Sequence, residues 1–141
     1  MRLQGERHWL RGTWLAPALA CVLLLAFASS ASAVTRYAAP AGVASGTCPA
    51  ATPCALEYAV ETVAGSGDEI RVTSGTYSVT STIVADSSKI LRGDGGARPR
   101  LVGTVGLAGA PVTIQGGASI STLRIESANA SPALDLDGTG T

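Results

Sequence analysis

Beyond residue 33 the chain has no histidine, no phenylalanine and no tryptophan; His8, Trp9, Trp14 and Phe27 all lie before that point. Tyr37, Tyr58 and Tyr77 are the aromatics that remain. Without histidine, the Ser-His-Asp and Cys-His nucleophilic arrangements are excluded from this part of the chain. Lysine is scarce too, with Lys89 alone in the sequence. No basic cluster of the kind that holds nucleic acid is legible. Cysteine occurs three times, at Cys21, Cys48 and Cys54. With no histidine and no third cysteine beyond residue 33, a closed zinc site cannot be completed there.

What is present begins with an export signal over residues 1–33. Arg2, Arg7 and Arg11 make the start basic, and Leu15 to Ala28 is an uncharged, apolar run. A spanning helix needs about 20 apolar residues, so this run is too short for a permanent membrane anchor. Ala31-Ser32-Ala33 is a small-x-small cleavage site, which predicts a mature chain starting at Val34. No membrane span is expected after cleavage. Cys21 precedes most of the apolar run, the wrong order for a lipoprotein site. With Arg2, Glu6, Arg7 and Arg11 removed, seven basic and nine acidic side chains are left, a net charge of about −2. What remains is enough for one modest domain.

Cys48 and Cys54 form an even pair in an exported chain and are predicted to make a disulfide. So short a loop contributes less than the usual ~2–4 kcal/mol, so its expected role is to pin the segment ahead of the repeats.

Four stretches share one shape, an apolar-polar alternation running into a glycine: IRVTSGT from Ile70, ILRGDGG from Ile90, VTIQGGA from Val112 and LDLDGTG from Leu134. Their starts recur at a near-constant interval of roughly 20–22 residues, the range of short solenoid repeats. Val79, Leu101 and Leu123 give a second, evenly spaced register. A strand with a turn cannot bury its own apolar face, whereas stacked copies can. The expectation is an all-β solenoid in which Ile70, Ile90, Val112 and Leu134 form one inward column. Val79, Leu101 and Leu123 form another. Ile70 and Val72 point in while Glu69 and Arg71 point out; Leu134 and Leu136 point in while Asp135 and Asp137 point out.

Cys54 to Ala64 has helical period, with Leu56, Ala59, Val60 and Val63 on one face and Glu57 and Glu61 on another. Gly65, Ser66 and Gly67 end it. This predicts one α-helix, placed to cover the open end of the first winding. Residues 34–67 are thus a lead-in segment with a capping helix, and 68–141 the windings. The chain reaches Thr141 within the fourth turn, which points to a longer protein continuing past it.

The run Cys54-Ala55-Leu56-Glu57-Tyr58-Ala59-Val60 resembles the Cys-Ser-Leu-Arg-Glu-Ala-Ile type of motif that opens many secreted right-handed parallel β-helix proteins. Gly67-Asp68-Glu69-Ile70-Arg71-Val72, then Gly75-Thr76-Tyr77, is similar to that family's first winding, and Leu91-Arg92-Gly93 with Pro99 and Leu101 to its next. The sequence departs from the motif at Ala55, Glu57 and Tyr58. The resemblance implies a pectate-lyase-like fold and export; the right hand follows from it and from the general preference of parallel crossovers. The family includes lyases, adhesins and autotransported proteins, so it implies no single reaction.

Lyases of this type use an Arg or Lys base with calcium-binding acids, which brings Arg92, Arg124, Asp94 and Glu126 forward. The interval from Asp94 to Glu126 is no multiple of the repeat, so these charges read as solvated surface. Asp135-Leu136-Asp137-Gly138-Thr139-Gly140 faintly resembles a calcium loop, but two carboxylates are too few for a tight site. Arg92-Gly93-Asp94 spells an adhesion tripeptide that its place in the repeat already explains. Gly65-Ser66-Gly67 and Gly93 to Gly96 lack the strand-to-helix setting of a phosphate loop. Asn129-Ala130-Ser131 is a weak glycosylation triplet, followed by Pro132. No catalytic residue, metal ligand or cofactor is therefore assigned, with calcium the weakest of prospects. The functional expectation is a secreted or cell-surface β-helix protein, adhesin-like, that binds a polysaccharide or cell-surface glycan. Two readings stand beside it: a polysaccharide lyase or glycoside hydrolase whose site lies past residue 141, and a purely structural stalk.

Overall fold

The computed structural model describes residues 32–137. The leader through Ala31 and the stretch Gly138–Thr141 lie outside the described residues, so most of the export signal and the rest of the calcium-like loop do too. Among the described residues no helix is long and apolar enough to cross a membrane.

The described residues contain ten strands: β1 (Thr35–Val43), β2 (Glu69–Val72), β3 (Thr76–Val79), β4 (Ile83–Ala85), β5 (Ile90–Gly93), β6 (Arg100–Gly103), β7 (Val112–Gln115), β8 (Ser119–Ser121), β9 (Arg124–Ser127) and β10 (Leu134–Asp137). They form three sheets with orders β1-β2-β5-β8, β3-β6-β9 and β4-β7-β10. Every pairing within these sheets is parallel. From β2 onward, three consecutive strands supply one member to each sheet, and each strand pairs with the third one along.

Each sheet turns one face inward, and burial alternates along β2 to β6, while on β7 Val112, Thr113 and Ile114 are all buried. Ile70 and Val72 are buried on β2, Tyr77 and Val79 on β3, Ile83 and Ala85 on β4, with Leu91, Leu101, Val112 and Ile114 above them. That matches a period of two and explains why these parallel strands do not read as continuous apolar runs. The expected orientation of Ile70 and Val72 inward, with Glu69 and Arg71 less buried, holds. Leu134 packs against the core, but Leu136 is 67% exposed rather than inward.

The two predicted columns need correction. Ile70 lies opposite Leu91, whereas Ile90 lies opposite Glu69 and is 40% exposed. Val112 and Leu134 do face each other, but in another sheet, where Ile83 completes the stack. Leu101 sits between Tyr77 and Ile125, while Val79 faces Gly103 and Leu123 precedes β9. The cause is unequal turn length. The stacked equivalents are Ile70 with Leu91, Tyr77 with Leu101 and then Ile125, and Ile83 with Val112 and then Leu134. The step from Ile83 to Val112 is the longest of these and the step from Ile70 to Leu91 the shortest. A single common interval therefore joins residues of different sheets.

The capping helix is also corrected. In place of an α-helix over Cys54–Ala64 there is a short π-helical segment, Tyr58–Val63. The Ala64 N–H donates to the Ala59 carbonyl at 3.0 Å, one residue further back than in an α-helix. The carbonyl an α-helix would have used, that of Val60, instead accepts from Lys89 Nζ at 2.9 Å. The segment does pack beside β4, the outermost strand of its sheet, and Glu61 Oε1 accepts the Val84 N–H at 3.2 Å. In the neighbouring sheet β1 occupies the position before β2. The lead-in segment thus supplies a strand to one sheet and a helical turn to the next.

Cys48 and Cys54 are joined, as expected, and both are fully buried. The Tyr37 N–H donates to the Cys48 carbonyl at 2.8 Å, and Cys54 bridges in parallel to Ala38 and Val43. The bond therefore fastens the loop after β1 back onto β1.

Candidate functional site

The exposed face of the β1-β2-β5-β8 sheet carries a ladder. Register sets Tyr37 opposite Arg71, Arg71 opposite Arg92, and Arg92 opposite Ser121. Neighbouring strands stand about 4.8 Å apart, so these side chains rise as successive rungs on one surface. They face outward because each alternates with a buried residue, Ala38, Ile70 and Leu91.

Two carboxylates stitch the rungs together. Glu69 Oε1 lies 3.5 Å from Arg71 Nε and 3.8 Å from Arg92 Nη1, while Asp94 Oδ1 lies 3.5 Å from Arg71 Nη1. The Glu69 carboxylate, with Asp94 adding to it, raises the pKa of the Arg71 guanidinium above its ordinary value. Arg92 is the freest of the set, with its side chain 58% exposed. Water screens pairs this exposed, so they organise the face more than they hold the fold.

Around the corner, the exposed face of the β3-β6-β9 sheet holds a second cluster. Arg100 lies opposite Arg124, and Val102 opposite Glu126. Glu126 accepts from Arg100 through both carboxylate oxygens and pairs with Arg124 as well. The hydrogen bonds from Arg100 hold the Glu126 carboxyl below its usual pKa.

The four charges weighed from sequence thus fall into two groups. Arg92 and Asp94 share the first face, both reached through Glu69 and Arg71; Arg124 and Glu126 share the second. Asp94 and Glu126 do not make one site. Sequence reasoning missed Tyr37 and Arg100 as members. The signal for Arg100 was its separation from Arg124, which equals that of Leu101 from Ile125 in the same sheet.

Arg92-Gly93-Asp94 is the end of a strand and not a projecting loop. Gly93 is glycine because of crowding: a Cβ there would meet the Thr122 carbonyl oxygen at 2.3 Å. Asn129 is engaged within the chain. Its Nδ2 donates to the Leu107 carbonyl at 2.8 Å and to that of Thr104 at 3.4 Å, which clamps the turn after β6. Among the described residues no group of three or more His, Cys, Asp or Glu converges as metal ligands would. Between the last strands is an apolar hollow of about 290 Å³, lined by Ile120, Leu123, Ile125 and Leu134. It has no charged lining.

The described residues of the first face thus offer a polar, partly aromatic surface of guanidinium, carboxylate, hydroxyl and phenol groups. No protein-family model, curated protein or solved structure matches the chain.

Proposed function

We propose that this chain belongs to a secreted, right-handed parallel β-helix protein of pectate-lyase-like fold, which binds a polysaccharide or cell-surface glycan through its outer faces. The fold reading is supported by three parallel sheets that are visited in turn, each strand pairing with the third along. The secretion reading rests on the basic-apolar leader with its Ala31-Ser32-Ala33 site, and a buried disulfide accords with it. The observation that carries the binding reading is the Tyr37-Arg71-Arg92-Ser121 ladder with Glu69 and Asp94 beside it. An aromatic ring offers an apolar face to a sugar ring, while guanidinium, hydroxyl and carboxylate groups supply donors and acceptors to its hydroxyls.

A glycan array probed with the secreted protein tests this. Binding to a defined polysaccharide class, lost in the double variant Arg71→Ala, Arg92→Ala while its melting temperature is kept, is the expected outcome. Binding to no glycan, or binding indifferent to both substitutions, refutes it. Cleavage of the bound polysaccharide by the full-length protein would move the assignment to the lyase or hydrolase reading.

A further inference from the structure

The nitrogen of Val34 is the point where the leader reading and the fold meet. Val34 N donates to Asp68 Oδ1 at 2.7 Å, and the Val34 carbonyl accepts from the Glu69 N–H at 3.1 Å. Asp68 is only 5% exposed. Its Oδ2 accepts from the Gly65 N–H at 3.0 Å and lies 3.4 Å from Arg36 Nε. One carboxylate therefore gathers the start of β1, the turn after the helical segment and the start of β2. Val34 is also the residue that follows the Ala31-Ser32-Ala33 cleavage site.

In the uncleaved chain the group at Asp68 is a neutral peptide N–H. Hydrolysis of the Ala33–Val34 bond adds hydroxyl from water to the Ala33 carbonyl and leaves a proton on the Val34 nitrogen. That nitrogen becomes an α-amino group, protonated at neutral pH because its usual pKa is about 8. We propose that processing at Ala33–Val34 creates an ion pair between the new α-ammonium group and Asp68, which locks β1 onto β2 only in the exported chain. The inference rests on the secretion reading. The acceptor is already ionised before cleavage, so processing adds a full positive charge on the donor and with it a direct Coulombic attraction to the bond. Val34 is 42% exposed, so the remaining ammonium protons reach water.

The other charged or titratable groups on the elements packed around this point are Arg36 and Tyr37 on β1, Glu69 and Arg71 on β2, Glu57 just before the helical segment with Tyr58 and Glu61 inside it, and Asp86 with Lys89 before β5. Glu69 is paired with Arg71 and Arg92, Asp86 with Lys89, and Glu61 with the Val84 N–H. All are common to free and α-N-acetylated protein, so they cancel in a comparison of the two. Acetylation keeps an N–H at Val34 and removes only the charge.

The protein is recovered from a secreting host, its N-terminus identified by mass spectrometry, and its melting followed from pH 6 to 10 before and after α-N-acetylation. An ion pair raises the amino pKa, so its stabilisation is complete below about 8 and is lost as pH rises through the raised value. The expected result is a Val34 terminus and a melting gap on the order of 5 °C at pH 6. The gap closes toward pH 10 and is absent in Asp68→Asn. If Asp68→Asn does not fold, the pH dependence of α-amine acylation in the unaltered protein decides: a pKa above 8 supports the pair, and one at or below 8 overturns it. A Val34 terminus with no gap at any pH overturns the lock and leaves secretion standing. A terminus elsewhere overturns the cleavage position itself.

Discussion

Lys89→Met isolates the cause of the π-helical turn. Lys89 is 7% exposed, and its Nζ lies 2.9 Å from Asp86 Oδ1 and 2.9 Å from the Val60 carbonyl. Methionine keeps the apolar stem and deletes both contacts. Asp86 is 42% exposed at its side chain, so water replaces its lost partner at little cost. Val60 is fully buried, and an orphaned buried carbonyl costs about 1–3 kcal/mol. At roughly 4–8 °C per kcal/mol for a domain of this size, the melting temperature falls by about 4–24 °C. Part of the loss is recovered if the Ala64 N–H moves from the Ala59 to the Val60 carbonyl, converting the turn to α-helical spacing. Urea unfolding gives the stability, and amide shifts at Ala64 give the hydrogen-bond partner. The Asp86 carboxyl is held below its ordinary pKa chiefly by its hydrogen bond from Lys89. That contribution is present above a pH of about 4 and is lost as pH falls through the lowered value, so the gap between the two proteins narrows in acid. A Lys89→Met protein whose stability stays within about 0.5 kcal/mol of the original, the usual scatter of a neutral surface change, and whose Ala64 amide is unmoved would refute the explanation.

Four further outcomes come from the packing, the turns and the disulfide. Gly93→Ala sets a methyl against the Thr122 backbone and costs about 1–3 kcal/mol or more, because backbone cannot step aside cheaply. At Gly95 φ is +60° in open space, so Gly95→Asn is tolerated while Gly93→Asn is not, as denaturant midpoints will show. Leu101→Ala, in the stack between Tyr77 and Ile125, costs about 2–5 kcal/mol, whereas Leu123→Ala, at the half-covered end, costs clearly less; equal losses would restore the evenly spaced register. Replacing Cys48 and Cys54 together by alanine lowers stability by about 2 kcal/mol or less through the short loop it opens, measured by urea unfolding against the oxidised protein.

The alternation of Ile70, Arg71 and Val72 was enough to predict strands with one buried face; Gly75 and Gly116 rightly marked turns, whereas Gly93 closes a strand and Gly138 lies outside the described residues. The even spacing was misleading, because Val, Ile and Leu are frequent enough here to fall into step by accident. The true stacking shows in neighbouring pairs that share one interval, Arg100 with Arg124 and Leu101 with Ile125. The disulfide was legible because two cysteines, with no histidine or third cysteine beyond residue 33 to make a metal site, have few alternatives. The helix type was not, since it depends on Lys89, well downstream and the only lysine in the chain. The ladder on the first sheet was half legible: Arg71 was placed outward from its strand period. Tyr37 was out of reach because nothing local announces that residues before the disulfide form a strand of the same sheet.

The unequal intervals between stacked strands have an evolutionary reading. Sheet contacts in this molecule accommodate unequal lengths of connecting chain, so an open corner such as residues 95–97 is a place where residues can be gained or dropped without re-registering a single rung. Loop length adds to closure entropy only logarithmically, so such changes are thermodynamically mild. New surface chemistry can therefore be grafted at the corners while the interior stays as it is.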